Sequence, residues 1–185
     1  EYHGAVGGVG CTDRMYTHAA ENQLVNDFLG DKSFTHLFFT EQDMLLPKDA
    51  LPRLLEVGKP IVSGVYFLRG GNGQPCLFQK IMETRENHYM HSPVHIFPTD
   101  RPFRVDCPGF GCVLFERKVF ETIEPPWFQL KQPSKENKEG YGSDMYFYTL
   151  VKDQGIETWA TPRVMCGQID YTVVEFSDWV RRVKT

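Results

Sequence analysis

The chain has 185 residues, 41% of them apolar and 14% aromatic, with 20 basic against 24 acidic side chains and a formal net charge of −4. That length and apolarity can bury a real core and fit one domain better than two, and with no long basic cluster a nucleic-acid partner is not expected. No apolar run approaches the roughly 18 to 20 residues that a membrane helix needs and no signal peptide opens the sequence, so we expect a soluble chain with no membrane segment.

Residues 1–13 are rich in glycine (Gly4, Gly7, Gly8, Gly10) and only weakly apolar. A phosphate-binding glycine turn of the Rossmann type needs a strand directly before it, and with no such strand among these residues that turn is not expected here. From Met15 to Leu29 the apolar residues Ala20, Leu24, Val25 and Phe28 follow a helical period that Gly30 stops, which predicts a helix packed on a sheet. Thr35 to Thr40 is a short apolar run rich in aromatics, followed by Glu41-Gln42-Asp43 and then Met44 to Pro47. Such a run predicts a buried strand of a mostly parallel sheet, and ligands of those sheets bind beyond the carboxyl ends of strands. Residues i and i+2 of an extended segment share a face, so Glu41 and Asp43 are placed to present two carboxylates to a divalent cation carrying a phosphate. The plainer alternative is a polar turn in which Asp43 bonds local backbone N–H groups.

Asp49 is placed to cap a short helix carrying Leu51, Leu54, Leu55 and Val57, ended by Gly58, and Pro60 to Phe67 follows as another buried strand. Strand, helix and strand in about thirty residues predict a βαβ unit with two parallel strands. Arg69 to Pro75 is a glycine turn, Cys76 to Arg104 is expected to form less regular antiparallel β structure, Gly111 to Glu116 another strand, and Lys118 to Ile123 a helix. Lys131 to Gly142 has the polar, glycine-ended character of a mobile loop over a site. Ser143 is the expected N-cap of the next helix, with Phe147, Leu150 and Val151 as its buried stripe and Gly155 as its left-handed stop. Asp144 then falls in the first turn, where the helix dipole favours an ionised carboxylate whether or not it has a catalytic task. Ile156 to Ala160 and Arg163 to Gly167 suggest two short strands, and Phe176 to Val183 a closing amphipathic helix.

The five cysteines are odd in number and widely spread, with no C-x-x-C pair and no zinc-type spacing, which points to a reducing, cytoplasmic compartment. His88, His91 and His95 have a spacing that suits one helix face, but Pro93 argues for a loop or strand rather than a metal site.

Three segments together carry a resemblance: THLFFTEQDM through KPIVSGVYF, VDCPGFGCVLFERKVFETI with PPWF, and YGSDMYFYTLVKDQGIETWATPRVMCGQI. From about Arg14 to Ile169 the chain resembles the GT-A fold glycosyltransferases of the family 2-like group. The resemblance implies an α/β, Rossmann-like, mostly parallel sheet flanked by helices, with a small antiparallel β region, in one domain spanning 1–185. The strand and helix that hold the nucleotide base in that family have no counterpart among these residues, so an N-terminally truncated domain is expected, either a fragment or a shortened member with an incomplete nucleotide pocket. Glu41-Gln42-Asp43 matches the family's D-x-D, which implies that Asp43 and Glu41 hold Mn2+ or Mg2+ and the sugar nucleotide. Gln168, in Cys166-Gly167-Gln168, stands where the family has a metal-binding histidine. Asp144 matches the catalytic base, with Ser143 where a glutamate is common. Gly109-Phe110-Gly111 matches a GxG element lining the acceptor side, Trp127 and Phe128 match an aromatic loop whose Trp127 would stack on the acceptor sugar or else serve plain packing, and Ala20-Glu21-Asn22 matches an A-R-N pattern with Glu21 replacing the arginine.

The activity so implied is a metal-dependent, inverting transfer of a sugar from a nucleoside-diphosphate donor to a hydroxyl of a glycan or similar acceptor. A glycoside hydrolase would instead need two carboxyl groups flanking the scissile bond. A catalytically silent sugar-nucleotide or glycan-binding module of the same fold is the alternative, motivated by Gln168 and Glu21.

Overall fold

The computed structural model describes residues 6–69, 73–85, 88–131, 140, 142–170 and 173–183, without the side chains of 80–85, 88–90, 173, 174, 178, 182 and 183. In chain order the elements are α1 (Thr17–Gly30), β1 (His36–Thr40), β2 (Met44–Leu45), α2 (Ala50–Leu55), β3 (Ile61–Val65), β4 (Leu77–Arg85), β5 (His88–Pro93), β6 (Phe103–Arg104), β7 (Cys107–Pro108), β8 (Cys112–Glu116), α3 (Arg117–Thr122), α4 (Ser143–Asp153), β9 (Thr158–Met165), β10 (Gly167–Ile169), β11 (Val173–Val174) and α5 (Phe176–Val183). They fall into two compact units, Glu1–Leu37 with Phe115–Ile156, and Phe38–Leu114 with Glu157–Thr185.

The first unit is built on aromatic packing. Phe147 of α4 meets Phe115, Phe120 and Phe128 at ring-centroid distances of 5.5, 5.6 and 5.0 Å, and Phe28 of α1 meets Phe120 edge-on at 6.3 Å. α1 ends at Gly30, as its periodicity predicts, and its orphaned last carbonyls need donors. Arg117 supplies them: its guanidinium donates to the carbonyls of Phe28 (2.9 Å), Leu29 (3.4 Å), Asp31 and Phe34 (2.7 Å). Asn22 does similar work along α1, donating to the carbonyls of His18 and Phe128 at 2.7 and 2.8 Å and accepting the N–H groups of Trp127 and Phe128 at 3.0 and 3.3 Å. α4 begins at Ser143, with Gly142 rather than Ser143 in the cap position, and stops before Gly155 at φ +66°. Residues 132–139 and 141, most of the loop expected between Lys131 and Gly142, lie outside the described residues.

The second unit holds a five-stranded sheet in the order β1-β8-β3-β9-β6 and two three-stranded sheets, β11-β10-β2 and β5-β4-β7. The expected mostly parallel, Rossmann-like sheet flanked by helices is not what forms; the fold is mixed α/β with small, mainly antiparallel sheets. β3 pairs with β9 in parallel register, whereas β6 with β9, β10 with β11 and β2, and β4 with β5 and β7 are antiparallel. The reason is topological. A βαβ unit fixes the direction of its two strands but not their adjacency, and β8 lies between β1 and β3. The Arg117 N–H, just past β8, donates to the Thr35 carbonyl just before β1 at 2.9 Å, which is the sense of an antiparallel neighbour.

Leu54, Val62, Leu114 and Val164 form one core cluster of this unit, and Val65, Phe67, Leu77, Phe97 and Trp179 another, where Trp179 of α5 stacks on Phe97 at 4.7 Å. Asp49 holds the N-cap position of α2 without a side-chain capping bond, its carboxylate turned instead to Arg53; the helix ends at Leu55, short of the expected Val57, and Gly58 at φ +63° closes the turn that follows. All five cysteines are free, Cys11 exposed and the other four buried. Among the described residues no helix is long and apolar enough to cross a membrane.

Candidate functional site

The acidic tip sits where β1 gives way to a turn, with the Met44 N–H donating to the Glu41 carbonyl at 3.2 Å. Directly after the turn, β2 pairs with β10, placing Met44 opposite Gln168, and the Ile169 N–H donates to the Asp43 carbonyl at 2.8 Å. That ladder carries a side chain 125 residues away to the tip: the Gln168 amide nitrogen donates to Asp43 Oδ2 at 3.3 Å. The same oxygen faces Arg69 Nη1 at 3.4 Å. Arg69 follows β3, and its neighbours are fixed by the Leu68 N–H on the Gln74 carbonyl (2.8 Å) and a bridge between Phe67 and Pro75.

The burial around this group is uneven. The Asp43 side chain is 19% exposed and that of Arg69 56%. Gln168 is 5% exposed, and its amide oxygen Oε1 is buried with no hydrogen-bond partner. A buried carbonyl oxygen without a donor costs about 1–3 kcal/mol, and a water, a donor or a cation would each satisfy it.

Tyr66, the residue after β3, organises the other wall. Its ring is 4% exposed, and its hydroxyl accepts the Gly111 N–H at 3.3 Å. Burial first, then the Cys76 thiol and the Glu41 carboxylate, hold its phenol well above the ordinary range, so it stays neutral, while the Gly111 N–H pulls the other way. Gly109 and Gly111 are glycines because this ring lies against them. A Cβ at 109 would stand 2.0 Å from Tyr66 Oη and 2.6 Å from Cys76 Sγ, and one at 111 would stand 2.8 Å from Met44 Sδ and 2.9 Å from Tyr66 Cζ. Glu41, Asp43, Gly109, Gly111 and Gln168, all expected at one site, are therefore gathered around Tyr66, Met44 and Arg69 within the second unit.

The donor set suits a hard divalent cation. Asp43 offers carboxylate oxygen, Glu41 an exposed second carboxylate from the same turn, and Gln168 an orphaned amide oxygen. Mg2+ and Mn2+ sites commonly use one or two carboxylates and complete their shell with water and substrate phosphate. Among the described residues no group of three or more His, Cys, Asp or Glu is placed to hold a metal without such help. The histidines at 88 and 91 lie on β5, in keeping with a strand.

The remaining two expected residues belong to the first unit. Asp144, in the first turn of α4, is half-buried and accepts the Met145 N–H on Oδ1 at 2.8 Å. Burial raises its pKa above the usual carboxylate value, the backbone N–H of Met145 working against that rise. Gly142 makes room for this carboxylate, since a Cβ there would lie 2.7 Å from Asp144 Oδ1. Trp127 is 5% exposed, its indole N–H donates to the carbonyls of Ile123 (2.8 Å) and Phe120 (3.1 Å), and its ring meets Phe120 edge-on at 6.1 Å. Those contacts make it a packing anchor with its polar end satisfied.

Sequence reasoning missed Arg69 and Tyr66. Arg69 stands in no motif and Tyr66 lies within KPIVSGVYF with no role attached to it; the available signal was their place at or just past the end of a buried strand, where side chains reach a site.

No protein-family model matches the chain, and no curated protein matches it. The fold is similar to that of A197 from STIV, known from a crystal structure, with a TM-score of 0.61 and 19% identity over 89% of this chain and 74% of that one. At that identity the likeness concerns the fold alone.

Proposed function

We propose that this chain is a metal-dependent, inverting glycosyltransferase that moves a sugar from a nucleoside-diphosphate donor to a hydroxyl of a glycan or similar acceptor. The observation that carries this reading is the grouping of Asp43, the orphaned Gln168 oxygen and Arg69. It offers oxygen donors for a divalent cation and a guanidinium for a diphosphate in one place. Asp43, Glu41 and Gln168 would hold Mn2+ or Mg2+, which offsets the negative charge building on the departing diphosphate. The resemblance assigns the proton of the acceptor hydroxyl to Asp144, and the burial that raises its pKa would make it a stronger base than a solvated carboxylate. Direct attack opposite the leaving group inverts the anomeric centre through an oxocarbenium-like transition state. Gly109 and Gly111 leave the room in which the Tyr66 ring forms that wall of the site. Free cysteines agree with a reducing, cytoplasmic setting.

Calorimetry with UDP and Mn2+, paired with an assay for released nucleotide, tests the reading. Asp43→Asn should abolish metal-dependent nucleotide binding, while Asp144→Asn should bind normally and transfer nothing. Transfer at the parent rate by Asp144→Asn would remove the base assignment. Nucleotide binding by the parent chain with no turnover on any acceptor would instead favour the silent sugar-nucleotide module.

A further inference from the structure

We infer that Arg69 is a movable counter-ion, neutralising Asp43 in the empty protein and passing to the donor diphosphate when a divalent cation takes Asp43. The inference rests on the glycosyltransferase reading and adds to it a residue that no motif contains. Asp43 is largely withdrawn from water, and a carboxylate in that position needs a positive partner. Arg69 provides it with one nitrogen at 3.4 Å from Oδ2. A divalent cation on that carboxylate repels the guanidinium, so the two compete for one oxygen.

The surroundings decide where each goes. The Gln168 amide presents its nitrogen to Asp43 Oδ2 and keeps its Oε1 buried without a donor; a cation on Asp43 would be met by that amide with its oxygen turned toward it, which a phosphate would not, so the cation belongs on the Asp43 and Gln168 side. Arg69 is the exposed member of the pair, 56% against 19%, and its side chain can turn without leaving a core. The chain before it is anchored by the Leu68 to Gln74 hydrogen bond and the Phe67 to Pro75 bridge, so the side chain moves from an anchored base. A guanidinium displaced from a carboxylate is matched in geometry to a diphosphate oxygen pair.

Two titrations with opposite expected signs test this. Mn2+ alone is titrated into the parent, Arg69→Ala and Arg69→Lys proteins by calorimetry, with free Mn2+ checked by electron paramagnetic resonance. Then UDP is titrated at saturating Mn2+. Removing the competing cation should tighten Mn2+ alone about two- to fivefold in Arg69→Ala, the range expected for a partly exposed ion pair. UDP affinity should fall at least about tenfold, as for the loss of a charge-assisted hydrogen bond. Arg69→Lys should lie between parent and Arg69→Ala on both axes, and thermal melts of all three proteins establish that each is folded. Mn2+ affinity that is unchanged or weaker in Arg69→Ala, in a parent that binds Mn2+ and UDP, overturns the exchange and leaves the function standing. A parent that binds neither overturns both.

Discussion

Gly109 offers the sharpest test of how the candidate site is built. A methyl group at this position would overlap Tyr66 Oη at 2.0 Å and Cys76 Sγ at 2.6 Å. Gly109 does not use left-handed backbone, so Gly109→Ala adds no backbone strain and its cost is steric. Both obstacles are walled in, at 4% and 7% exposure, and neither can swing aside cheaply. Overpacking of this kind costs about 1–3 kcal/mol, and two simultaneous overlaps place Gly109→Ala near the top, at about 3 kcal/mol. In a chain of this length that corresponds to a fall of about 6–12 °C in melting temperature. Tyr66→Phe removes the nearest obstacle and leaves Cζ at 3.1 Å from the added carbon. On its own it strips the Gly111 N–H of its acceptor, at about 1 kcal/mol. The double variant should therefore be less damaged than the sum of the singles, by about 1–2 kcal/mol. Urea unfolding followed by tryptophan fluorescence, with the slope held constant across the four proteins, reads all these quantities. A Gly109→Ala protein within about 0.5 kcal/mol of the parent, or a strictly additive pair, would refute the packing account of this turn.

Asp144→Asn should also be more stable than the parent at neutral pH. The folded state raises this pKa above 3.8, so the favourable contribution is complete below 3.8 and lost as pH rises through the folded value; the advantage of the asparagine should vanish when the melts are repeated in acid. Arg117→Ala should cost about 3 kcal/mol by leaving several α1 carbonyls short of donors, and Arg117→Lys should recover less than half of it, because an ammonium cannot reproduce the fork. Denaturation midpoints with an unchanged slope would measure both, and equal stability of the lysine variant and the parent would show that charge alone suffices.

Local order was readable wherever a short-range rule applied. Gly30 and Gly155 end the helices they were expected to end, the α2 helix stops at Leu55 a turn before Gly58, and the closing helix spans Phe176 to Val183 as its periodicity predicts. The hairpin region after Cys76 is antiparallel, as its irregular pattern suggests. What failed was pairing across distance. Nothing in Gly111 to Glu116 tells that it enters the sheet between two strands already joined by a helix, and that insertion turns an expected parallel sheet into a mixed one. The cap at Gly142 was missed for a local reason: Ser143 has a favoured capping side chain, but Asp144 folds back over Gly142 and needs the space that a glycine leaves. Of the site, Asp43 and Gln168 were named separately from motif positions, while their contact depends on the register of β2 against β10. Trp127 was ambiguous because an indole serves packing and stacking equally well, and only the two carbonyls above its N–H decide between them.

The interleaving of the two units bears on any attempt to dissect the gene. Neither is encoded by one unbroken stretch: Arg117 must be translated before α1 acquires its terminal donors, and β9 before β3 and β6 gain their shared neighbour. A protein ending at residue 156 would possess every residue of the first unit yet leave β3 as a raw sheet edge, inviting self-association rather than yielding a free-standing half.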